Sequence, residues 1–238
     1  MLFSSEIPED LRSMEWNLVR RDPPSKVLLV AFAGGGVRLG GIALPEWRKT
    51  CSRVEEVDYL TVVDVHQKWY LHGYQRWRER FSKIFERYEK VLLVGSCMGA
   101  SGALLFADMA DGVLAYAPQT CLVNARGKYW LNSFRLPRET RINFNKLIRD
   151  RIGRCPYVYV GYSPLKDVYF SRHLPQEVVH IETECYLDNV PKWLKKTGKL
   201  IPTVRKVVDT IKLLPRRKQS LSDEKNAGQT EGRAESVQ

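Results

Sequence analysis

The sequence predicts an α/β protein, a three-layer sandwich with a mainly parallel sheet of about six strands. Short apolar runs rich in β-branched residues alternate along the chain with segments of helical periodicity. These runs are continuous rather than alternating, which is typical of strands covered on both faces of a parallel sheet. The chain has 238 residues, 44% of them apolar and 27% charged, and this composition is typical of a globular domain.

Six apolar runs are assigned to strands in chain order. They are residues 27–33, 57–63, 91–94, 113–117, 156–162 and 177–182. Helices are expected in other segments, where apolar residues recur with helical spacing. They are residues 44–52, 74–89, 98–109, 139–151, 188–199 and 203–214.

These elements predict one domain over residues 1–218. The stretch 118–138 lacks a clean period and connects a strand to a helix, so we expect a lid or binding loop there. From residue 219 to 238, polar residues and glycine dominate and apolar residues nearly vanish, which is typical of a disordered tail.

Composition and termini favour a cytoplasmic protein. The five cysteines form no CxxC pair, so neither a zinc site nor a disulfide framework is indicated. The first residues carry acids where a signal peptide carries positive charge. No apolar run approaches the roughly 18 residues that a membrane span needs. We therefore expect a reducing compartment, no transmembrane segment and no metal.

The passage at residues 91–110 is the most informative. An apolar strand runs into GSCMG at 95–99 and then into a helix rich in Ala and Leu. This is the nucleophile-elbow pattern of the α/β-hydrolase fold, in which a tight strand-to-helix turn exposes one side chain. The central residue is Cys97, and the dipole of the following helix favours a thiolate there. The structural alternative is a small buried residue left after catalysis was lost. Ser96 occupies the variable position and is not expected to face the pocket.

A hydrolase elbow needs an oxyanion hole made of two backbone amides. Met98, directly after the nucleophile, can supply the first amide, and Gly34 in the glycine run after the first strand can supply the second. The structural alternative is that these glycines only form a flexible turn.

The glycines after the first strand also allow a dinucleotide-binding interpretation. Three features disfavour it: Gly40 comes one residue late, Pro45 interrupts the following helix, and the nearest suitable acid, Asp64, is about thirty residues further on. We therefore expect no cofactor.

The acid and the base of a hydrolase triad should follow the last two strands. Asp167 follows the strand at 156–162, a position that also suits the N-cap of a short helix. The loop at 184–190 contains no histidine. The four histidines elsewhere are expected to have core or surface roles; they are His66, His72, His173 and His180. Without a positioned base, a cysteine relies on its own thiolate and loses roughly 10²–10⁴-fold in rate.

Several short motifs follow one another between residues 27 and 200. They are Asp64-x4-Trp69-Tyr70-x2-Gly73, the elbow at 95–99, Ala117-Pro118-Gln119-Thr120, Asp167 with Leu174 seven residues later, and Leu194-x3-Gly198-x-Leu200. Together they resemble a family of largely uncharacterised α/β-hydrolase-like proteins, some of them found near polysaccharide-biosynthesis functions. In that family the elbow is Gly-Asn-Ser-Met-Gly, and the third motif is Ser-Pro-Gln-Thr.

The resemblance implies an α/β-hydrolase fold with a degenerate catalytic triad. Cys97 stands where the family has serine, and Asp167 keeps the family's acid. Asp188 or a neighbour stands where the family has histidine. Because a fold does not imply a function, the resemblance predicts the architecture more firmly than the reaction.

Three functions agree with these features. The first is cysteine-dependent hydrolysis or transfer of an acyl group, as in an esterase or thioesterase, on a small-molecule or acyl substrate. The second is binding of a ligand or protein by an inactive protein of hydrolase fold. The third is binding of nucleic acid or an anionic surface through the basic segment Lys192 to Lys218.

The net charge of +11 is concentrated in that basic segment. It holds ten Lys and Arg against Asp209, whereas the first 191 residues carry only +4. Its helix at 203–214 has an apolar face flanked by basic residues, as an interfacial helix would. A terminal helix packed on the sheet needs the same pattern, and we favour that interpretation.

Overall fold

The computed structural model describes residues 14–35, 38–39, 42–43, 47–122, 136–162, 174–175, 178–183 and 190–215. The strands are β1 (Met14–Val19), β2 (Val27–Phe32), β3 (Arg38–Leu39), β4 (Ile42–Ala43), β5 (Asp58–Asp64), β6 (Lys90–Ser96), β7 (Gly112–Tyr116), β8 (Val158–Tyr162) and β9 (Val179–Glu182). The α-helices are α1 (Arg48–Cys51), α2 (Tyr74–Phe85), α3 (Met98–Leu105), α4 (Arg138–Ile152), α5 (Val190–Lys196) and α6 (Leu200–Leu213). A 3₁₀ turn spans Ala107–Met109.

The central sheet has seven strands in the described part of the chain, in the order β1-β5-β2-β6-β7-β8-β9. All neighbouring pairs are parallel except β1 with β5. The six strands expected from the apolar runs all form, so the mainly parallel sheet is confirmed. The edge strand β1 was not predicted, because it alternates apolar and polar residues instead of forming a continuous apolar run.

Helices cover both faces of the sheet. Alternate residues of β2 point to opposite sides, so that Leu28 and Val30 pack in one apolar cluster and Leu29 and Ala31 in another. The first cluster includes buried residues of α2, α3 and α4, and the second includes buried residues of α1, α5 and α6. This arrangement confirms the predicted three layers.

Helix α2 ends at Phe85, four residues before the predicted end at residue 89. Tyr88 stays at the core edge, where its hydroxyl donates to the Asp58 carboxylate at 3.0 Å. The amide of Glu89 then donates to the carbonyl of Lys26, which directs the chain into β6. The helix predicted from residue 44 is described only as α1, and residues 44–46 lie outside the described part.

The C-terminal helix α6 packs on the sheet with its apolar face. Val204, Val207, Val208 and Ile211 are buried there. The sheet therefore occupies the apolar face that an interfacial basic helix would need, as the favoured interpretation expected. No described helix combines the length and apolar composition that crossing a membrane requires.

Candidate active site

The candidate site lies where the order of strands in the sheet reverses. The chain runs from β2 outward to β5 and then returns past β2 to form β6. Connections that leave two adjacent parallel strands in opposite directions open a crevice at the carboxyl ends of these strands. Phe32 at the end of β2 pairs with Gly95 near the end of β6. The segments that carry Gly34 and Cys97 therefore leave the sheet side by side.

Cys97 forms the turn between β6 and α3. Its backbone has φ 56° and ψ −121°, a conformation that residues with a Cβ rarely adopt and that costs on the order of 1–3 kcal/mol. The amide of Cys97 donates to the carbonyl of Tyr116 at 2.8 Å, and its carbonyl accepts the amide of Ser101 at 3.2 Å. The thiol is half-buried, whereas Ser96 is buried in the last position of β6.

The two elbow glycines are required by close backbone contacts. A Cβ on Gly95 would lie 2.3 Å from the carbonyl oxygen of Gly99. A Cβ on Gly99 would lie 2.3 Å from the carbonyl oxygen of Phe32 and 2.6 Å from that of Ala33. No side chain fits at such distances, so the first turn of α3 packs directly on the end of β2.

This contact brings the expected oxyanion-hole residues to the elbow. Met98 is the first residue of α3, and an amide in the first turn of a helix has no acceptor within the helix. Gly34 follows Ala33, whose carbonyl lies against Gly99. The Ala33 carbonyl also accepts the hydroxyl of Tyr70 at 2.7 Å, which fixes the loop after β2 beside α3.

Gln119 contacts the thiol, and sequence analysis assigned it no role. Its side-chain amide Nε2 donates to Sγ of Cys97 at 3.0 Å. Its Oε1 accepts the indole Nε1–H of Trp69 at 3.0 Å. Both Gln119 and Trp69 are buried. In the sequence, Gln119 and Trp69 stand out only as members of motifs. The contacts that join them to Cys97 are long-range and leave no local pattern.

The backbone around Gln119 is held by Ser101 of α3. The Ser101 hydroxyl accepts the Gln119 amide and donates to the Gln119 carbonyl, both at 2.9 Å. Residues 118–122 are largely buried, so the beginning of the predicted lid segment belongs to the packed core. Residues 123–135 of that segment lie outside the described part.

The loop after β5 positions Trp69. The Asp64 carboxylate accepts the backbone amides of Tyr70 at 2.9 Å and His66 at 3.1 Å. Burial raises the pKa of Asp64, and the backbone hydrogen bonds from this loop only partly offset it. Trp69 and Tyr70 both have positive φ, which the carboxylate-bound loop maintains. The Asp64 carboxylate therefore organises the loop that carries Trp69.

The other expected site residues are placed as follows. Asp167 and Asp188 lie outside the described residues; the strands before them, β8 and β9, end at the same carboxyl edge as β6. His66 and His72 are exposed, with ring centroids 5.4 Å apart, and His173 is not described. His180 lies within β9. Among the described residues, no three His, Cys, Asp or Glu side chains are grouped so that they could hold a metal ion.

Solved structures show which fold this is. A capsule O-acetyltransferase from Neisseria meningitidis serogroup A superposes with a TM-score of 0.55 at 14% identity, over 84% of this chain and 91% of that chain. A Staphylococcus aureus protein proposed to be an esterase gives 0.53 at 14% identity, over 82% and 80%. An acylaminoacyl peptidase from Pyrococcus horikoshii gives 0.56 at 11% identity, over 86% of this chain and 41% of that chain.

At the level of sequence, no family model and no curated protein matches the chain. At 11–14% identity, the structural likeness shows the fold alone. The chain has the α/β-hydrolase fold, as the elbow motif predicted.

Proposed function

We propose that this chain transfers acyl groups through Cys97, as a cysteine-dependent esterase, thioesterase or acyltransferase. The observation that carries the proposal is the backbone of Cys97, with φ 56° on the turn between β6 and α3. Strain of this kind persists where the surrounding structure enforces it, and such residues cluster at functional sites. Here the close contacts of Gly95 and Gly99 enforce it.

The proposed reaction is a two-step acyl transfer. The Cys97 thiolate attacks the carbonyl carbon of an ester or thioester, forming a C–S bond, and the tetrahedral intermediate expels the alcohol or thiol, which takes up a proton from water. Water or an acceptor hydroxyl then attacks the acyl-cysteine and gives up its proton to solvent, the C–S bond breaks, and the thiolate leaves. The amides of Met98 and Gly34 are assigned to the oxyanion of each intermediate. Asp167 is assigned to orient the proton-transfer group or the substrate.

The structural neighbours support acyl chemistry. The three named above are an O-acetyltransferase, a protein proposed to be an esterase and an acylaminoacyl peptidase. All three names describe reactions at an acyl carbonyl. Among them, the O-acetyltransferase supports a hydroxyl group as the acceptor, including a hydroxyl of a glycan.

Intact-protein mass spectrometry tests the proposal. After incubation with acetyl and longer acyl thioesters, and with activated esters, the wild-type chain should carry one acyl group on Cys97. Cys97→Ala should carry none, and its circular dichroism should match the wild type. Absence of any adduct on folded wild-type protein, or equal adduct on Cys97→Ala, would overturn the proposal.

The second candidate is a hydrolase-fold protein that binds a ligand without turnover. The lack of histidine in residues 184–190 favours it. The double change Cys97→Ser with Asp188→His tests this degeneracy, because it would supply a serine at the nucleophile position and a histidine at the position expected for the base, with Asp167 as the expected acid. Fluorophosphonate labelling should appear in this double variant or in the neighbouring Leu187→His and Asn189→His versions. Each single change should do much less, since triad members act as a unit.

A further inference from the structure

We propose that Gln119 is a further catalytic residue of the Cys97 site and that Trp69 is its positioning residue. In this arrangement the Gln119 carboxamide stabilises the Cys97 thiolate by donating an N–H to its sulfur. The inference rests on the proposed function only in taking Cys97 as the reactive group. It concerns the sulfur itself and is tested without any acyl substrate.

The orientation of the Gln119 amide follows from its other partner. An indole N–H only donates, so the group that faces Trp69 at 3.0 Å must be the amide oxygen. The amide NH₂ is therefore the group that faces the sulfur at 3.0 Å. Trp69 thus determines that a donor, rather than an acceptor, reaches Cys97.

The surroundings hold this arrangement in place. Trp69 is 1% exposed and Gln119 is 3% exposed, and hydrogen bonds are stronger in such a low-dielectric environment. Ser101 binds the Gln119 backbone in two directions. The loop of Trp69 is bound to the Asp64 carboxylate through the amide of Tyr70. A neutral donor held in one position favours the charged sulfur over the thiol.

A carboxamide does different chemistry from a histidine. It stabilises a thiolate that has already formed, but it does not accept the proton that the thiol releases. We therefore expect reactivity of Cys97 to rise with pH to a plateau as the thiol ionises. The Gln119 donor moves that rise to lower pH, because a hydrogen bond to the charged form lowers a pKa.

The experiment measures alkylation of Cys97 by iodoacetamide, followed on its peptide by mass spectrometry over a range of pH. Gln119→Glu is nearly isosteric and still offers Trp69 an acceptor, but it replaces the donor with a carboxylate. Gln119→Met removes the donor without adding charge. Trp69→Phe keeps the aromatic ring and frees the amide to rotate. Gln75→Glu adds the same charge at an exposed position on α2 and serves as the matched control.

Gln119→Glu and Gln119→Met should each lower the alkylation rate near pH 7 by about tenfold or more, since a hydrogen bond to a charged group corresponds to about one pKa unit. The pH midpoint of alkylation should rise in both variants. Trp69→Phe should give a smaller loss in the same direction. Gln75→Glu should match the wild type.

Cys51 reports whether each variant is folded. It is fully buried, and burial raises the pKa of its thiol to about 12, so it should stay unlabelled in folded protein. A folded Gln119→Met variant with a rate equal to or faster than the wild type would overturn the inference, because Gln119 would then only shield the sulfur. If Cys51 becomes labelled in Gln119→Glu, that variant is not folded. The alkylation rates of Gln119→Met and Trp69→Phe then test the inference. If the wild type forms no acyl adduct but these variants still slow alkylation, the proposed function fails, and what stands is the stabilisation of the Cys97 thiolate by Gln119.

Discussion

The two edges of the central sheet differ in where they carry strained backbone and buried ion pairs. At the carboxyl edge, the loops after β5, β6 and β7 contain five of the six non-glycine residues with positive φ in the described part of the chain. At the amino edge, buried charged side chains pair across elements. Arg78 and Arg151 both bind Asp108, and Lys90 lies 3.6 Å from Asp111. One edge therefore carries backbone strain, and the other carries buried ion pairs.

Asp64 and Asp108 show this difference in one residue type. Burial raises the pKa of Asp64. The hydrogen bonds from the backbone amides of its loop lower this pKa only in part, so it stays above its ordinary value. Burial also acts to raise the pKa of Asp108, but the hydrogen bonds and charges of Arg78 and Arg151 outweigh it, so this pKa lies below its ordinary value. The Asp64 carboxylate, at the site, organises a strained loop. The Asp108 carboxylate, at the amino edge, joins α2 and α4.

Strained backbone and buried ion pairs lie at opposite ends of the same helix, α3. Strained backbone at a site persists only when the rest of the structure enforces it. Here α3 begins at the strained elbow and ends near Asp108, which Arg78 of α2 and Arg151 of α4 bind at 2.7 Å and 2.9 Å. We infer that the ion pairs at the amino edge join α2 and α4 to the chain just after α3 and so contribute to the stability of the whole fold, without setting the geometry of the turn at Cys97.

Asp108→Asn should have the largest effect. It leaves Arg78 and Arg151 partly buried without their counter-charge, and removing one partner of a buried ion pair costs about 3–5 kcal/mol of unfolding free energy. Urea unfolding measures this loss. Asp150→Asn, on the exposed side of α4, is the matched control and should stay within about 0.5 kcal/mol of the wild type. A loss below about 1 kcal/mol for Asp108→Asn would show that the buried ion pairs of the amino edge do not stabilise the fold.

Much of the fold, but little of this polar architecture, could be predicted from the sequence. The six apolar strands and the elbow glycines leave local patterns in the chain. The bond from Trp69 to Gln119 spans 50 residues, and the Arg151 to Asp108 pair spans 43. Such pairs depend on which helices the sheet brings together, and neither spacing nor composition encodes that. Even Asp108, within the predicted helix 98–109, has no sequence feature that distinguishes it from an exposed acid.

Asp64→Asn should cost less, about 1–3 kcal/mol, because asparagine keeps one of the acceptor positions for the amides of the loop. It should also slow the alkylation of Cys97, since the loop holds Trp69 and Trp69 orients Gln119. Asp108→Asn, measured under conditions in which it stays folded, should leave that rate unchanged. Equal effects of the two variants on alkylation would show that the edges are not distinct.

The pH dependence of these two variants should have opposite signs. Asp108 has a lowered folded pKa, so its stabilisation is present above the unfolded value near 4 and disappears as the pH falls below it. Asp64 has a raised folded pKa, so its contribution is greatest below about pH 4 and declines as the pH rises through the folded value. Between about pH 4 and 7, the stability difference from wild type should therefore shrink for Asp64→Asn and stay constant for Asp108→Asn.

Lys90→Met should cost less than Asp108→Asn, about 1–3 kcal/mol by urea unfolding, because the Asp111 carboxylate lies 3.6 Å from the Lys90 ammonium and also accepts the backbone amide of Val91. The buried Lys90 ammonium donates to the carbonyls of Leu214 and Pro215 at 2.8 and 2.9 Å, and methionine keeps the apolar stem while removing these bonds. Hydrogen exchange should increase mainly at the C-terminal turn of α6. Lys26→Met is the matched control, because the Lys26 side chain is 77% exposed in its pair with Glu89. If Lys26→Met lost as much stability as Lys90→Met, the burial of Lys90 would not explain its contribution.

The smallest effect is expected for two ion pairs at the same amino edge that are exposed. Glu55 pairs with Arg205 at 3.0 Å, and Glu56 pairs with Lys212 at 3.0 Å, but the glutamate side chains are 82% and 79% exposed. In water, such pairs gain little Coulomb energy and lose side-chain entropy, so they contribute about 0–1 kcal/mol. The double change Glu55→Gln with Glu56→Gln should therefore lower the urea midpoint only slightly, and salt should reduce even that difference. If this double variant lost as much stability as Asp108→Asn, burial would not be what makes an ion pair at the amino edge strong.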